Sequence, residues 1–170
     1  MYLLAIVILY ITLSIKFIDW KRWKDHYATI QFFIIGCLLY NVIFYQHTLW
    51  AYKSVTWDWL GHTLISIIFI LIIIPIAIMF YLQYYPEGKK QVFYIFTWIL
   101  YFTFLEFLFS RFGMFVYDNG WNVGWSFLFN IIMFTMLRLH DKRPVLALIL
   151  SVPIIFILLI FFHPPLAELK

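Results

Sequence analysis

Leu64-Ile-Ser-Ile-Ile-Phe-Ile-Leu-Ile-Ile-Ile-Pro-Ile-Ala-Ile-Met-Phe-Tyr-Leu82 runs for 19 residues without a charge. A helix needs about 20 mostly apolar residues to cross roughly 30 Å of hydrocarbon, so this stretch reads as a membrane span. Similar stretches lie on both sides of it, at 28–46, 92–112, 123–139 and 145–162, with a shorter one at 2–18. The whole chain agrees. Of its 170 residues 65% are hydrophobic, 24% aromatic and only 12% charged, and the mean hydropathy is +0.93. Soluble domains carry roughly 45–50% apolar and about 25% charged residues. This composition excludes a soluble enzyme, a disordered chain and a secreted disulfide scaffold. The single cysteine, Cys37, excludes an internal disulfide. The sequence therefore predicts an all-α polytopic transmembrane bundle of six spans, forming one integral membrane domain over 1–170. A five-span alternative reduces 123–139, the shorter and more polar segment, to a half-membrane element.

The first apolar run has no basic residue before it, and Lys16-Phe-Ile-Asp-Trp20 follows it, so it reads as an uncleaved anchor rather than a signal peptide. The cations set the orientation. Lys16, Lys21, Arg22, Lys24, Lys89, Lys90, Arg138, Lys142 and Arg143 flank the connections after spans one, three and five. The other side holds only Lys53, Arg111 and Lys170. The positive-inside rule then places the basic loops in the cytoplasm and both termini outside. A net charge of +4 is explained by this topology and carries no sign of nucleic-acid binding. Pro75 and Pro153 each remove one backbone donor from a span and read as packing kinks or hinges.

Each membrane face has its own aromatic signature. Trp20, Trp23 and Tyr27 fall at i, i+3 and i+7 and form one interfacial stripe beside Lys21, Arg22 and Lys24. The outer segments carry Trp50, Trp57, Trp59, Trp121 and Trp125, which match the aromatic belt common at membrane–water interfaces. They also hold His47, Asp58, His62, Asp118 and Asn122, a candidate polar mouth. The connection 47–63 is longer than turning requires, and long connections of this kind are disproportionately functional.

Glu106, in Phe104-Leu-Glu-Phe-Leu-Phe109, is the one acid deep inside a span. A carboxylate there is unfavourable by about 2.5–3.5 kcal/mol on insertion scales. At about 1.5 Å per residue it lies roughly 10 Å from Gly113, too deep to escape to water. It is either neutral or held by a partner. Ser110 shares its helix face at i+4, while Arg111 points elsewhere. Asn41 and Asn130 lie at similar depths on other spans. The three residues form a candidate intramembrane polar site, with interhelical hydrogen bonding as the plain structural alternative.

Other chemistry is missing from the sequence. There is no GxSxG, HExxH, CxxC or phosphate-binding glycine loop. The spacing of His47, Asp58 and His62 matches no zinc-ligand pattern, so the expectation is no metal, no cofactor and no assignable catalytic residue. His26, His140 and His163 sit at span ends and read as interfacial, and Cys37 as an apolar filler. Gly120-x-x-x-Gly124 has the spacing of a close-approach motif but lies at the rim. A 65-residue shift lays Asn41 on Glu106 and Tyr52 on Tyr117, with only generically apolar matches between, too little to establish a repeat.

Several longer matches carry a resemblance. In the first half these are Lys21-Arg-Trp-Lys-Asp-His-Tyr27, Gly36-Cys-Leu-Leu-Tyr-Asn-Val-Ile-Phe-Tyr45 and His47-Thr-Leu-Trp50. In the second they are Glu106, Tyr117-Asp-Asn-Gly-Trp-Asn122, Trp125-Ser-Phe127, Met136-Leu-Arg-Leu-His140 and Lys142-Arg-Pro144. Over most of 19–145 the chain resembles a multi-spanning membrane family common in spore-forming Firmicutes. The resemblance implies a bacterial cytoplasmic membrane protein and supplies no activity.

Three functions are compatible with these residues. The first is a small-solute carrier or receptor with an outward-facing polar and aromatic cavity. In so small a chain, alternating access would call for a homodimer. The second is a membrane-embedded enzyme on a lipid-like substrate, with Glu106 as acid or base aided by His47 or His62. The third is a structural or scaffold protein in which Glu106 ties helices together. The first is favoured over the second because neither paired carboxylates nor a nucleophile–base pair can be assembled.

Overall fold

The computed structural model describes residues 2–55 and 61–165. Six joined helices form the bundle, and five are long and apolar enough to cross a membrane. Helix α1 (Tyr2–Phe17) has 16 residues and spans about 24 Å. A 3₁₀ turn, Trp20–Arg22, leads into α2 (Trp23–Ile43). The third helix is composite: α3 (His62–Ile68), a π turn (Phe69–Ile73) and α4 (Ile74–Gln83) run without a break. Then come α5 (Lys90–Arg111), α6 (Val123–Lys142) and α7 (Pro144–Phe162). The run 2–18, the shorter one in sequence, is the short helix, whereas 123–139 forms a full α6 of 20 residues, about 30 Å, and not a half-membrane element. His140, paired with Thr29, and Lys142, largely in solvent, carry α6 past the apolar stretch.

Local chemistry explains the breaks. Pro75 has no N–H, and its ring crowds the carbonyl four residues earlier. The π turn just before it widens the backbone, with Ile74 N–H donating to Phe69 O. Helix α5 closes in a Schellman arrangement. Gly113 takes φ +70°, its N–H reaches Ser110 O at 3.1 Å, and Met114 N–H reaches Phe109 O at 2.9 Å. Asn122 opens α6 by accepting from Gly124 N–H (2.9 Å) and Trp125 N–H (3.3 Å). Gly120 and Gly124 therefore serve a turn, at φ +84°, and a helix cap, not a helix–helix crossing.

The two ends of the bundle differ. At the end opposite the basic connections, two short strands, β1 (Trp50–Tyr52) and β2 (Phe115–Tyr117), pair antiparallel as Trp50↔Tyr117, Ala51↔Val116 and Tyr52↔Phe115. Lys53 N–H to Met114 O and Asp118 N–H to Leu49 O, both 2.9 Å, extend the pairing at each end. Among the described residues this lid is the one β element. The 65-residue shift maps 50–52 onto 115–117, and the central pair Ala51↔Val116 is related by it. The order helix–strand–helix occurs twice around the strand pair, in α2–β1–α3 and in α5–β2–α6. The repetition lies in architecture, where side-chain identity hardly shows it.

Of the tryptophans of this end, Trp57 and Trp59 lie outside the described residues, and the others do not form a simple belt. Trp121 is only 5% exposed and packs with Phe44, Leu49 and Phe162 in a second core beneath the lid. Trp50 lies flat on Tyr40, centroids 4.1 Å apart. The Tyr40 hydroxyl accepts from Leu49 N–H (2.9 Å) and Trp50 N–H (3.3 Å), pinning the entry to β1. Tyr40→Phe removes the acceptor for both amides. Leaving donors unmet costs about 1–3 kcal/mol. The expected result is faster amide exchange at Leu49 and Trp50 with the bundle still folded; unchanged exchange there would refute the pin.

Candidate functional site

Glu106 sits on α5 directly below the lid, facing the first turn of α6. The Ser126 hydroxyl donates to Glu106 Oε1. Trp121 Nε1–H in turn donates to Ser126 Oγ at 2.8 Å. One relay thus runs from a lid-side indole through a serine to the intramembrane carboxyl. Ser126 and Trp121 are both buried.

Each strand contributes one tyrosine to the surroundings of this carboxyl. The buried Tyr117 hydroxyl faces Glu106 and Ser126 but closes no geometrically sound hydrogen bond with either. Burial, and then the neighbouring Glu106 charge, push its phenol up to about 12, so it remains a neutral donor across the physiological range. Tyr52 stacks on Phe69 at 4.7 Å and on His62 at 5.9 Å. Burial first, then Cys37 and Glu106, raise its phenol above the ordinary value. The strand pair therefore sets a neutral phenol, Tyr117, beside the carboxyl, while Tyr52 packs on Phe69 and His62.

The sequence-derived residues distribute unevenly around this centre. Asn130 joins it one turn deeper: its amide donates to Thr103 Oγ1 at 3.0 Å on the same α5–α6 seam. Asn41 donates its amide to Cys37 O on its own helix at 3.0 Å. Four-residue spacing puts that carbonyl within easy reach, so the local bond forms without any ordering of a second helix. Of the mouth residues, His62 accepts Tyr52 N–H at Nδ1 (3.0 Å), which leaves the ring proton on Nε2. Asn122 is the α6 cap. Asp118 accepts Asn119 N–H at 2.8 Å within the turn after β2. His47 lies half-buried just before β1. Asp58 lies outside the described residues. Ser126, Tyr117, Tyr52 and Thr103 are not among the candidate site residues that the sequence suggests. Ser126 had a signal, since it stands one helical turn before Asn130 on the same face.

A second polar cluster occupies the basic end. His26 Nδ1–H donates to Asp141 Oδ1 at 2.8 Å. Arg138 Nη1 donates to Asp141 Oδ2 at 3.2 Å, and Lys142 Nζ lies 3.5 Å from it. Beside it Thr29 Oγ1 and His140 Nδ1 pair at 3.0 Å, with Phe32 stacked on the His140 ring at 4.3 Å. His26 and His140 are buried rather than interfacial. Asp141 supplied the signal. A carboxylate in the last turn of a helix opposes the helix dipole and needs cationic partners. Trp20, Trp23 and Tyr27, by contrast, are exposed on the outside of the bundle.

No family model, curated protein or solved structure matches the chain. The geometry establishes a polytopic α-helical membrane protein with two buried polar centres, one at each end.

Proposed function

We propose that the chain is a small-solute carrier or receptor in which Glu106 is the ligand-binding acid. One observation carries the reading. The carboxyl lies under the strand pair where the two helix–strand–helix units meet, facing a buried phenol, Tyr117, that closes no hydrogen bond of sound geometry among the described residues. Intramembrane acids mark substrate and ion pathways by default, and transporter sites form at the interface of structural repeats. The surrounding rings suit a ligand with an ammonium or other donating group, because aromatic faces attract cations and a carboxyl accepts their hydrogen bonds. The basic end faces the cytoplasm on this reading, so the lid faces outward. Trp20, Trp23 and Tyr27 anchor the inner interface. The resemblance to the spore-former family supports a bacterial cytoplasmic membrane. The competing reading is interhelical glue, favoured by the Ser126 bond alone.

Thermal shift of the purified protein with ethanolamine, choline and putrescine distinguishes them. At least one amine should raise the melting temperature of the wild type and leave Glu106→Gln unmoved. The substitution itself should cost no more than about 0.6–2 kcal/mol, the usual value of one interhelical bond. Identical amine responses in both proteins would leave only the glue.

A further inference from the structure

A groove of about 420 Å³ opens on the flank of the bundle, far from Glu106, with α1 as one wall and the α3–α4 span as the other. Ile11, Ser14, Ile15 and Trp20 line the first wall, and Leu71 and Pro75 are among the residues of the second. Its size lies within the roughly 300–1,000 Å³ of small-molecule and cofactor sites. Local backbone chemistry shapes both walls. The π turn and Pro75 interrupt regular helix on one side. On the other, Trp20 folds back over the end of α1, its indole N–H donating to Ser14 O at 3.2 Å. The groove therefore has an aromatic roof at the level of the basic connection and an apolar floor running into the membrane.

Size and charge narrow the occupant. One turn of α-helix with side chains, about 10–12 Å wide and 5.4 Å tall, fills roughly 420–600 Å³. The groove thus has space for no more than a single turn of a partner helix, whereas a flexible hydrocarbon chain threads it. Lys16 and Lys21 adjoin the groove residues Ile15 and Trp20 in sequence. The ion pairs among the described residues engage Arg22, His26, Arg138 and Lys142, and leave these two lysines without an acidic partner. We propose that the groove holds an acyl chain of an anionic phospholipid, with the headgroup phosphate on Lys16 and Lys21. Trp20 sits between the two halves of the ligand, where an amphipathic ring suits both. Ser14, buried with its hydroxyl donating to Ile11 O at 2.7 Å, keeps its own polar atom satisfied and the wall effectively apolar.

The test is native mass spectrometry of the delipidated full-length protein in detergent, titrated with phosphatidylglycerol and with phosphatidylcholine of the same chains. The wild type should retain one phosphatidylglycerol per chain in preference to phosphatidylcholine. Lys16→Gln with Lys21→Gln should weaken that preference roughly thirtyfold, about fivefold for each lysine at a membrane surface. Leu71→Trp and Ile15→Trp fill the groove from opposite walls. Both residues face outward, at 59% and 74% exposure, so neither change disturbs the core. Each should abolish the retained lipid while the variant melts near the wild type. Equal retention of the two lipids by the wild type overturns the proposal, as does retention that survives either folded tryptophan variant. A second copy of the chain in place of the lipid overturns it too. Should both tryptophan variants unfold, the lysine pair decides alone, and a preference that persists without those cations overturns it.

Discussion

Tyr81→Ala should destabilise the bundle by about 3–5 kcal/mol, the range for removing a buried large aromatic. Tyr81 is 0% exposed and stands at the centre of the main core. Its ring meets Tyr94 at 5.7 Å, Trp98 at 5.7 Å and Phe134 at 5.0 Å, so one side chain joins α4, α5 and α6. In lipid, helices associate through packing and interhelical hydrogen bonds rather than by leaving water. An empty space at this point therefore loses dispersion contacts on three helices at once. The hydroxyl has a separate role, donating to Phe134 O at 3.0 Å. Tyr81→Phe should cost only about 0.5–1.5 kcal/mol. Chemical denaturation of the purified protein in mixed micelles measures both. A loss under about 1 kcal/mol for the alanine variant would show that the core is not organised around this ring.

Asp141→Asn should cost about 1.5–3 kcal/mol, because it removes a buried carboxylate that accepts hydrogen bonds from His26 and the Arg138 guanidinium. The carboxylate is 5% exposed, accepts from His26 and Arg138, and lies 3.5 Å from Lys142 Nζ. Lys142 is largely in solvent and contributes little. His26 is the other buried member, at 9% exposure against 5%, and among the described residues its Nε2 has no hydrogen-bond partner. Asparagine can accept one bond but brings no charge. A double-mutant cycle with His26→Gln should return a coupling of about 0.5–3 kcal/mol. Zero coupling would mean that the α2–α6 clasp is held by Thr29 and His140 instead.

Much of this fold was legible from residue order. Apolar runs of about 20 residues locate spans, because lipid accepts only backbones that satisfy their own hydrogen bonds. That rule reads length and polarity alone, so it found six helices, the shorter first run among them, and ended the fifth three residues early. Lys142, charged and beyond the apolar run, belongs to α6 in space. The lid escaped notice for a different reason. Three-residue strands carry no periodic pattern, and Trp50–Tyr52 and Phe115–Tyr117 become strands only by pairing with each other across 65 residues.

The same division runs through the candidate site. Glu106 stands out in sequence because the cost of an acid in hydrocarbon depends on depth, and depth follows from counting residues. Its partners are set by helix rotation and by which helices adjoin, and neither is a property of local sequence. Asn41 lies at the right depth and bonds to its own helix, whereas Ser126, an ordinary residue by composition, donates to the carboxyl. His26 and Asp141, 115 residues apart, meet for the same reason. Linear order thus established the solvent, the spans and the one acid out of place, since each is a transfer free energy read along a single helix. Tertiary packing chose that acid's neighbours, built the lid above it and buried the histidines, since each of those is a contact between helices.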